Sequence, residues 1–277
     1  MFDIDRVFIF AYNGGNDKKG GDGVKHNLFR AIWAVVSCLA ILVALHHSSV
    51  YLRLHAPTTE HAPVITVPEV PIVEEEEPEL PDNPVDFAAL QADFPEAVAW
   101  IRIPDTAIDF AVMQSGENTK EDFYLDHNEN GESSALGSIY IQKYNEADFS
   151  DPNTILYGHN IRGGKMFGGM HKFKQADYFD SHEYLYVYIP GHVLTYRLYS
   201  LFDFSSRHLL YTYNFEHYTG IQRFIDKTLK PGTYNRLVRE GVSPTIEDRF
   251  ITLSTCQNTG DGRLLLVGVL IEDMPTK

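Results

Sequence analysis

The sequence predicts a mostly-β domain, either an antiparallel sandwich or a closed barrel, carried behind one N-terminal membrane anchor. Three observations support this. Beyond about residue 85, eight runs rich in β-branched and aromatic residues are bounded by Gly, Pro or Asn: 99–103, 108–113, 137–142, 154–158, 184–189, 193–204, 250–255 and 264–272. Helical periodicity is scarce between them, so the strand–helix alternation of a parallel α/β sheet is missing. Upstream, an apolar run at 31–45 is followed by a Pro- and Glu-rich stretch.

Taken in chain order, residues 1–27 are a polar cytoplasmic segment and 28–52 the transmembrane anchor. A membrane crossing needs about 20 apolar residues. The run at 31–45 reaches that length with Leu28 and Phe29 in front and Val50, Tyr51 and Leu52 behind. Lys18, Lys19, Lys25 and Arg30 precede the run and only Arg53 follows closely, which sets the N-terminus in the cytoplasm and the rest outside. A cleavable signal peptide fits poorly, because His46-His47-Ser48 is no small-residue cleavage site. The lipoprotein-like box ending at Cys38 fits poorly too, because apolar residues continue past it. Residues 53–84 form an extended linker. Between Glu60 and Asp86 there is no Lys or Arg, and six prolines interrupt the acidic residues. Such a segment repels itself and has little apolar area to bury.

Residues 85–277 are long enough for a single core. A helix at 87–92 opens this domain and stops before Pro95. A second helix at 221–229 places Ile221, Phe224, Ile225 and Thr228 on one face. The chain holds 23 Lys+Arg against 38 Asp+Glu, a formal charge of −15, which argues against a nucleic-acid partner. Two cysteines, Cys38 and Cys256, exclude a disulfide scaffold and a four-cysteine zinc site. No His pair has metal-ligand spacing, and the glycines at 163–164 and 168–169 lack the pattern of a phosphate loop and read as a mobile loop. No cofactor or metal is expected.

With Cys38 in the membrane, Cys256 is a lone thiol in an oxidising compartment, so it is either buried and inert or kept for reactivity. It ends the run at 250–255, and Arg263 opens the next run after a short loop. That arrangement puts a thiol and a guanidinium on one rim of the sheet, where the fixed charge favours thiolate and can hold an oxyanion. His159 follows the run at 154–158 in the same way, and an imidazole is the usual proton carrier beside a cysteine nucleophile. The other histidines, His171 and His208 among them, have no comparable setting.

These residues resemble the sortases, membrane-anchored cysteine transpeptidases of Gram-positive cell surfaces. The resemblance lies in Thr252-Leu253-Ser254-Thr255-Cys256 with Arg263, and in Tyr157-Gly158-His159-Asn160. Trp100-Ile101-Arg102-Ile103-Pro104, Phe123-Tyr124-Leu125, Gly137-Ser138-Ile139-Tyr140 and Met166-Phe167-Gly168 resemble class B segments in the right order. The long connection at 231–248, with the helix before it, also resembles class B. The resemblance implies a closed eight-stranded barrel with an N-terminal helix, and a helix walling the substrate groove in the connection before the Cys strand. It implies that Cys256 attacks the carbonyl after Thr in a C-terminal sorting signal. His159 would protonate the departing amine, and Arg263 would hold the oxyanion together with the Gln257 N–H. Leu125, Ser254 and Gln257 would contact substrate. The acceptor would be an amine of a peptidoglycan cross-bridge or lipid II, or a pilin Lys. The competing expectation is a non-catalytic surface β-domain that binds a peptide or glycan, with Cys256 buried.

Overall fold

The computed structural model describes residues 23–54, 79–257 and 261–277. The expected segment 1–27 and linker 53–84 lie mostly outside these residues. The chain divides into two units, Met1–Glu74 and Glu75–Lys277. The first contains helix α1, Gly23–Leu54. Its described side chains, 35–37 and 39–51, are exposed, and Val35, Leu39, Leu42 and Leu45 are each more than half accessible. Among the described residues no helix is long and apolar enough to cross a membrane.

The second unit opens with α2, Phe87–Asp93, capped by the Asp86 side chain, which accepts from Ala89 N at 3.0 Å. Strands β1 (Ala97–Arg102), β2 (Asp109–Gln114), β3 (Ile139–Ile141) and β4 (Asn153–Tyr157) follow. A two-stranded hairpin, β5 (Asn160–Ile161) and β6 (Lys165–Met166), leads into a 3₁₀ segment, Phe167–Lys174, and helix α3, Ala176–Ser181. Then come β7 (Tyr184–Ile189), β8 (His192–Phe204), α4 (Leu209–Thr212), α5 (Tyr218–Leu229), β9 (Arg236–Val238), β10 (Phe250–Cys256) and β11 (Arg263–Pro275).

The sheet runs β11-β10-β4-β3-β2-β1-β7-β8-β9, and β11 also pairs with β8. That pairing closes eight strands into a barrel and leaves β9 as a ninth strand beside β8. Each of the eight runs read from the sequence is a barrel strand. The barrel is not wholly antiparallel, because β2–β3 and β4–β10 pair in parallel. The sandwich alternative is thereby set aside.

Strand alternation sorts the side chains into two layers. Ile251 and Leu253 of β10, Leu264 and Leu266 of β11 and Leu156 of β4 are fully buried in the barrel interior. The intervening Phe250, Leu265, Val267 and Ile155 face outward, under Leu209, Tyr213, Ile221 and Phe224 of the β8–β9 connection. Helix α5 carries the expected apolar face but begins at Tyr218, before Ile221. Its first two residues are exposed, with Tyr218 70 % accessible, so they leave no apolar period in the sequence. The glycines at 168–169 belong to the 3₁₀ segment, whose Phe167, Met170 and Phe173 are fully buried. Burial of these three side chains replaces the mobile loop expected there with an ordered one. Residues 79–84, read as the end of the linker, contact the barrel. Asn83 Nδ2 donates to Ile189 O at 2.9 Å and to Thr276 Oγ1 at 3.1 Å, and Lys277 N donates to Pro81 O at 2.9 Å.

Candidate active site

Three strand ends meet on the outer face of the barrel rim. Cys256, the last residue of β10, pairs in register with Arg263, the first of β11. The next pair is hydrogen-bonded, Gln257 N to Gly262 O at 3.0 Å. Cys256 and Arg263 are therefore a non-hydrogen-bonded pair, the type in which facing side chains stand closest. Strand β4 runs parallel to β10 with Tyr157 opposite Ser254. Two residues further along each chain come His159 and Cys256. Two bonds tie these ends together: Gly158 N donates to Ser254 O at 3.2 Å, and Thr255 Oγ1 donates to Gly158 O at 2.8 Å.

His159 is half-buried, and its Nε2 lies 2.6 Å from the Leu125 carbonyl oxygen. A carbonyl only accepts, so Nε2 carries the proton and Nδ1 is left as the basic nitrogen. Leu125 thus orients the imidazole through its backbone, a role its sequence does not announce. Its 3₁₀ turn, Phe123–Leu125, is held against Gly137, whose φ is +60°. A Cβ at Gly137 would lie 2.5 Å from Leu125 O and 2.8 Å from Tyr124 O. Gly137→Ala is therefore expected to cost about 1–3 kcal/mol of stability, the usual range for a strained backbone site. It should also lower turnover, because the carbonyl it displaces is the one that holds His159. Equilibrium denaturation and kcat measured together check both effects. Gly158 meets a different limit. A Cβ there would lie 2.4 Å from Ile139 Cδ1 and 2.7 Å from the Phe167 ring.

A cavity of about 290 Å³ collects these groups. Leu125, His159, Ser254, Cys256 and Arg263 all line it, together with Tyr140, Tyr157 and Phe204 from the sheet, Gln142 just past β3, and residues 206–209 from the start of the β8–β9 connection. Its described lining holds two guanidiniums, Arg207 and Arg263, and no carboxylate. Arg263, in register beside Cys256, places a fixed positive charge where negative charge would develop. Burial pushes the Tyr140 and Tyr157 hydroxyls well above their ordinary range, outweighing the opposing pull of Arg263. Both rings stay neutral. They stack at 5.5 Å, and the Tyr157 hydroxyl is buried without a partner.

Gln257 is occupied elsewhere. Its N–H bonds Gly262 O, and its side-chain amide donates to Arg263 O at 3.1 Å. Both bonds brace the hairpin, so the oxyanion donor expected from the Gln257 N–H is already engaged. Two histidines set aside in the sequence reading reach the site. His208 lines the cavity, with Nε2 2.7 Å from Gln142 Oε1. His171 Nε2 lies 3.0 Å from Cys256 O. Neither follows a strand, so strand-end reasoning could not find them. Tyr140 and Tyr157 had a usable signal, being outward positions of β3 and β4 beside the strand ends. Among the described residues no group of three or more His, Cys, Asp or Glu is placed to hold a metal ion.

The family model described as Sortase domain matches residues 101–271. Sortase B of Listeria monocytogenes is 31 % identical over 198 residues, covering 70 % of this chain and 76 % of that protein. A mutant form of Clostridium perfringens sortase B superposes with a TM-score of 0.60 at 28 % identity, covering 67 % of this chain and 86 % of that one. A Staphylococcus aureus sortase B–substrate complex superposes at 0.58 and 25 % identity, over 67 % of this chain and 84 % of that one. The likeness covers the barrel strands and the rim on which Cys256, His159 and Arg263 converge, and on it the chain belongs to the sortase family, as a sortase B-like transpeptidase.

Proposed function

We propose that the chain cleaves a C-terminal sorting signal after Thr and passes the new acyl end to an amine on the cell surface. The observation that carries this reading is the convergence of Cys256, His159 and Arg263 on one cavity. Cys256 passes its thiol proton to His159 Nδ1, the resulting thiolate adds to the Thr carbonyl carbon, and the carbonyl electrons move onto oxygen. Arg263 stabilises that oxyanion. As the tetrahedral adduct collapses, the C–N bond breaks and His159 gives its proton to the departing amine. The thioacyl enzyme remains. An incoming amine then loses a proton to His159, attacks the thioester carbonyl and expels Cys256. One amide bond replaces another, so the exchange needs no energy-rich cofactor. The acceptor amine belongs to a peptidoglycan cross-bridge or lipid II.

The same reading holds α1 in the cell membrane as a single-pass anchor, with the N-terminus cytoplasmic and the barrel outside. The exposed apolar side chains of α1 and the cationic residues before it support this. The described part of α1 needs its flanking apolar residues, from Leu28 onward, to reach a crossing length.

The test uses the full-length chain in detergent with quenched fluorescent peptides of the Leu-Pro-x-Thr-Gly and Asn-Pro-x-Thr-Asn kinds. Acceptor amines are a peptidoglycan cross-bridge peptide, lipid II and a Lys-bearing pilin peptide. Mass spectrometry should find an acyl adduct on Cys256 and a product joined to the cross-bridge or lipid II amine. Absence of the adduct with every peptide overturns the cleavage step. Transfer to the pilin Lys alone overturns the assigned acceptor.

A further inference from the structure

His171 has no part in the chemistry above, yet it bonds the backbone of the residue that carries the thiol. The reason lies in how the sheet ends. On the β4 side of β10, Ser254 O accepts from Gly158 N. Two residues on, Cys256 O points to the same edge, since strand carbonyls alternate with period two. By then β4 has ended at Tyr157 and the chain has turned into the β5–β6 hairpin. On the β11 side, Cys256 and Arg263 form the non-hydrogen-bonded pair, so their backbone groups point away from one another. The His171 imidazole meets this carbonyl, with Nε2 3.0 Å from Cys256 O. The carbonyl can only accept, so Nε2 is the protonated nitrogen.

The ring is presented from a firm base. His171 lies in the 3₁₀ segment whose Phe167, Met170 and Phe173 are fully buried in the barrel. Burial lowers its proton affinity below the usual histidine range, against the opposing effect of its bond to Cys256 O. Its Nδ1 is buried with no partner, so the ring's hydrogen bonding is spent on the Cys256 carbonyl.

We propose that His171 is a positioning residue for the nucleophile: it supplies the donor that the ended β4 strand does not, and so fixes the peptide that aims Cys256 between His159 and Arg263. The proposal rests on the reading of Cys256 as the nucleophile. The thiol stands on the last residue of β10, one bonded pair short of the loop, where strands fray. A misplacement of about 1 Å at a reacting atom can cost about 10²-fold in rate.

His171→Leu removes the donor at similar bulk. His171→Gln keeps an amide N–H that reaches the same carbonyl. In the full-length chain, His171→Leu should lower kcat about 10–100-fold with KM within about threefold, while His171→Gln stays within about threefold of the parent. Methanethiosulfonate labelling at Cys256, resolved from Cys38 by mass spectrometry, should slow or lose its single rate in His171→Leu and be unchanged in His171→Gln. A parental kcat in His171→Leu overturns the proposal. Equal losses in both variants, tracking equal losses of stability, also overturn it, because that is what a purely structural ring would give. If His171→Leu fails to fold, His171→Asn replaces it, since its shorter amide cannot reach, and parental kcat there is equally fatal. A parent chain that turns over no peptide would sink the acyl-transfer reading alone, while the labelling comparison would still report on His171.

Discussion

Replacing Cys256 by alanine is expected to remove transpeptidation, with a fall in kcat of at least about 10⁴-fold, the scale seen when a covalent nucleophile is deleted. The fold should survive. Cys256 is half-buried at a strand end, and the bonds that close the hairpin there, Gln257 N to Gly262 O and Gln257 Nε2 to Arg263 O, involve no sulfur. The unfolding free energy should stay within about 1 kcal/mol of the parent, the usual span for a change that opens no buried cavity. Peptide turnover followed by mass spectrometry, with equilibrium denaturation in parallel, checks both halves. Retained turnover would move the nucleophile elsewhere. Loss of turnover together with loss of fold would make Cys256 a packing residue.

Arg263→Lys should be the next most damaging change, with kcat down about 10²–10³-fold and KM little changed. The positive charge is kept, so simple attraction of substrate should survive. What is lost is the planar fork of N–H donors that can meet an oxyanion from a fixed direction. Among the described residues no carboxylate pairs with Arg263, and its one side-chain bond is a long contact from Nη1 to Asp261 O at 3.5 Å. The guanidinium is therefore available to the cavity. The backbone of Arg263 holds the hairpin through its carbonyl, which Lys retains. A KM increase at constant kcat would show that Arg263 binds the ground state and not the oxyanion.

These expectations trace to residues of different legibility. Cys256, Arg263 and His159 could be read from the chain because each sits where a β-branched run begins or ends. A period-two pattern marks the strand, and its end marks the rim. Helix α5 could be read because Ile221, Phe224, Ile225 and Thr228 share one face. The short elements could not. Helix α4 has four residues and β9 three, too few for any period to repeat. His171 and His208 reach the site from a 3₁₀ segment and a loop that fold back over distant strand ends, separated from their partners Cys256 and Gln142 by 85 and 66 positions. The Gln257 N–H looked free in the sequence because its partner, Gly262 O, is set by how the hairpin closes.

From its own order of residues this chain determined which segments become strands and which residues could do acyl transfer. Those properties are local: they follow from side-chain type and from spacings of two to four residues. The tertiary structure decided that β4 lies parallel to β10, that β11 closes on β8, and that the outer face of the rim holds the site. It also decided that Leu125 O meets His159 and that His171 meets Cys256 O. Those outcomes depend on register between strands up to a hundred residues apart, where one residue of slip would turn Cys256 to the other face of the sheet.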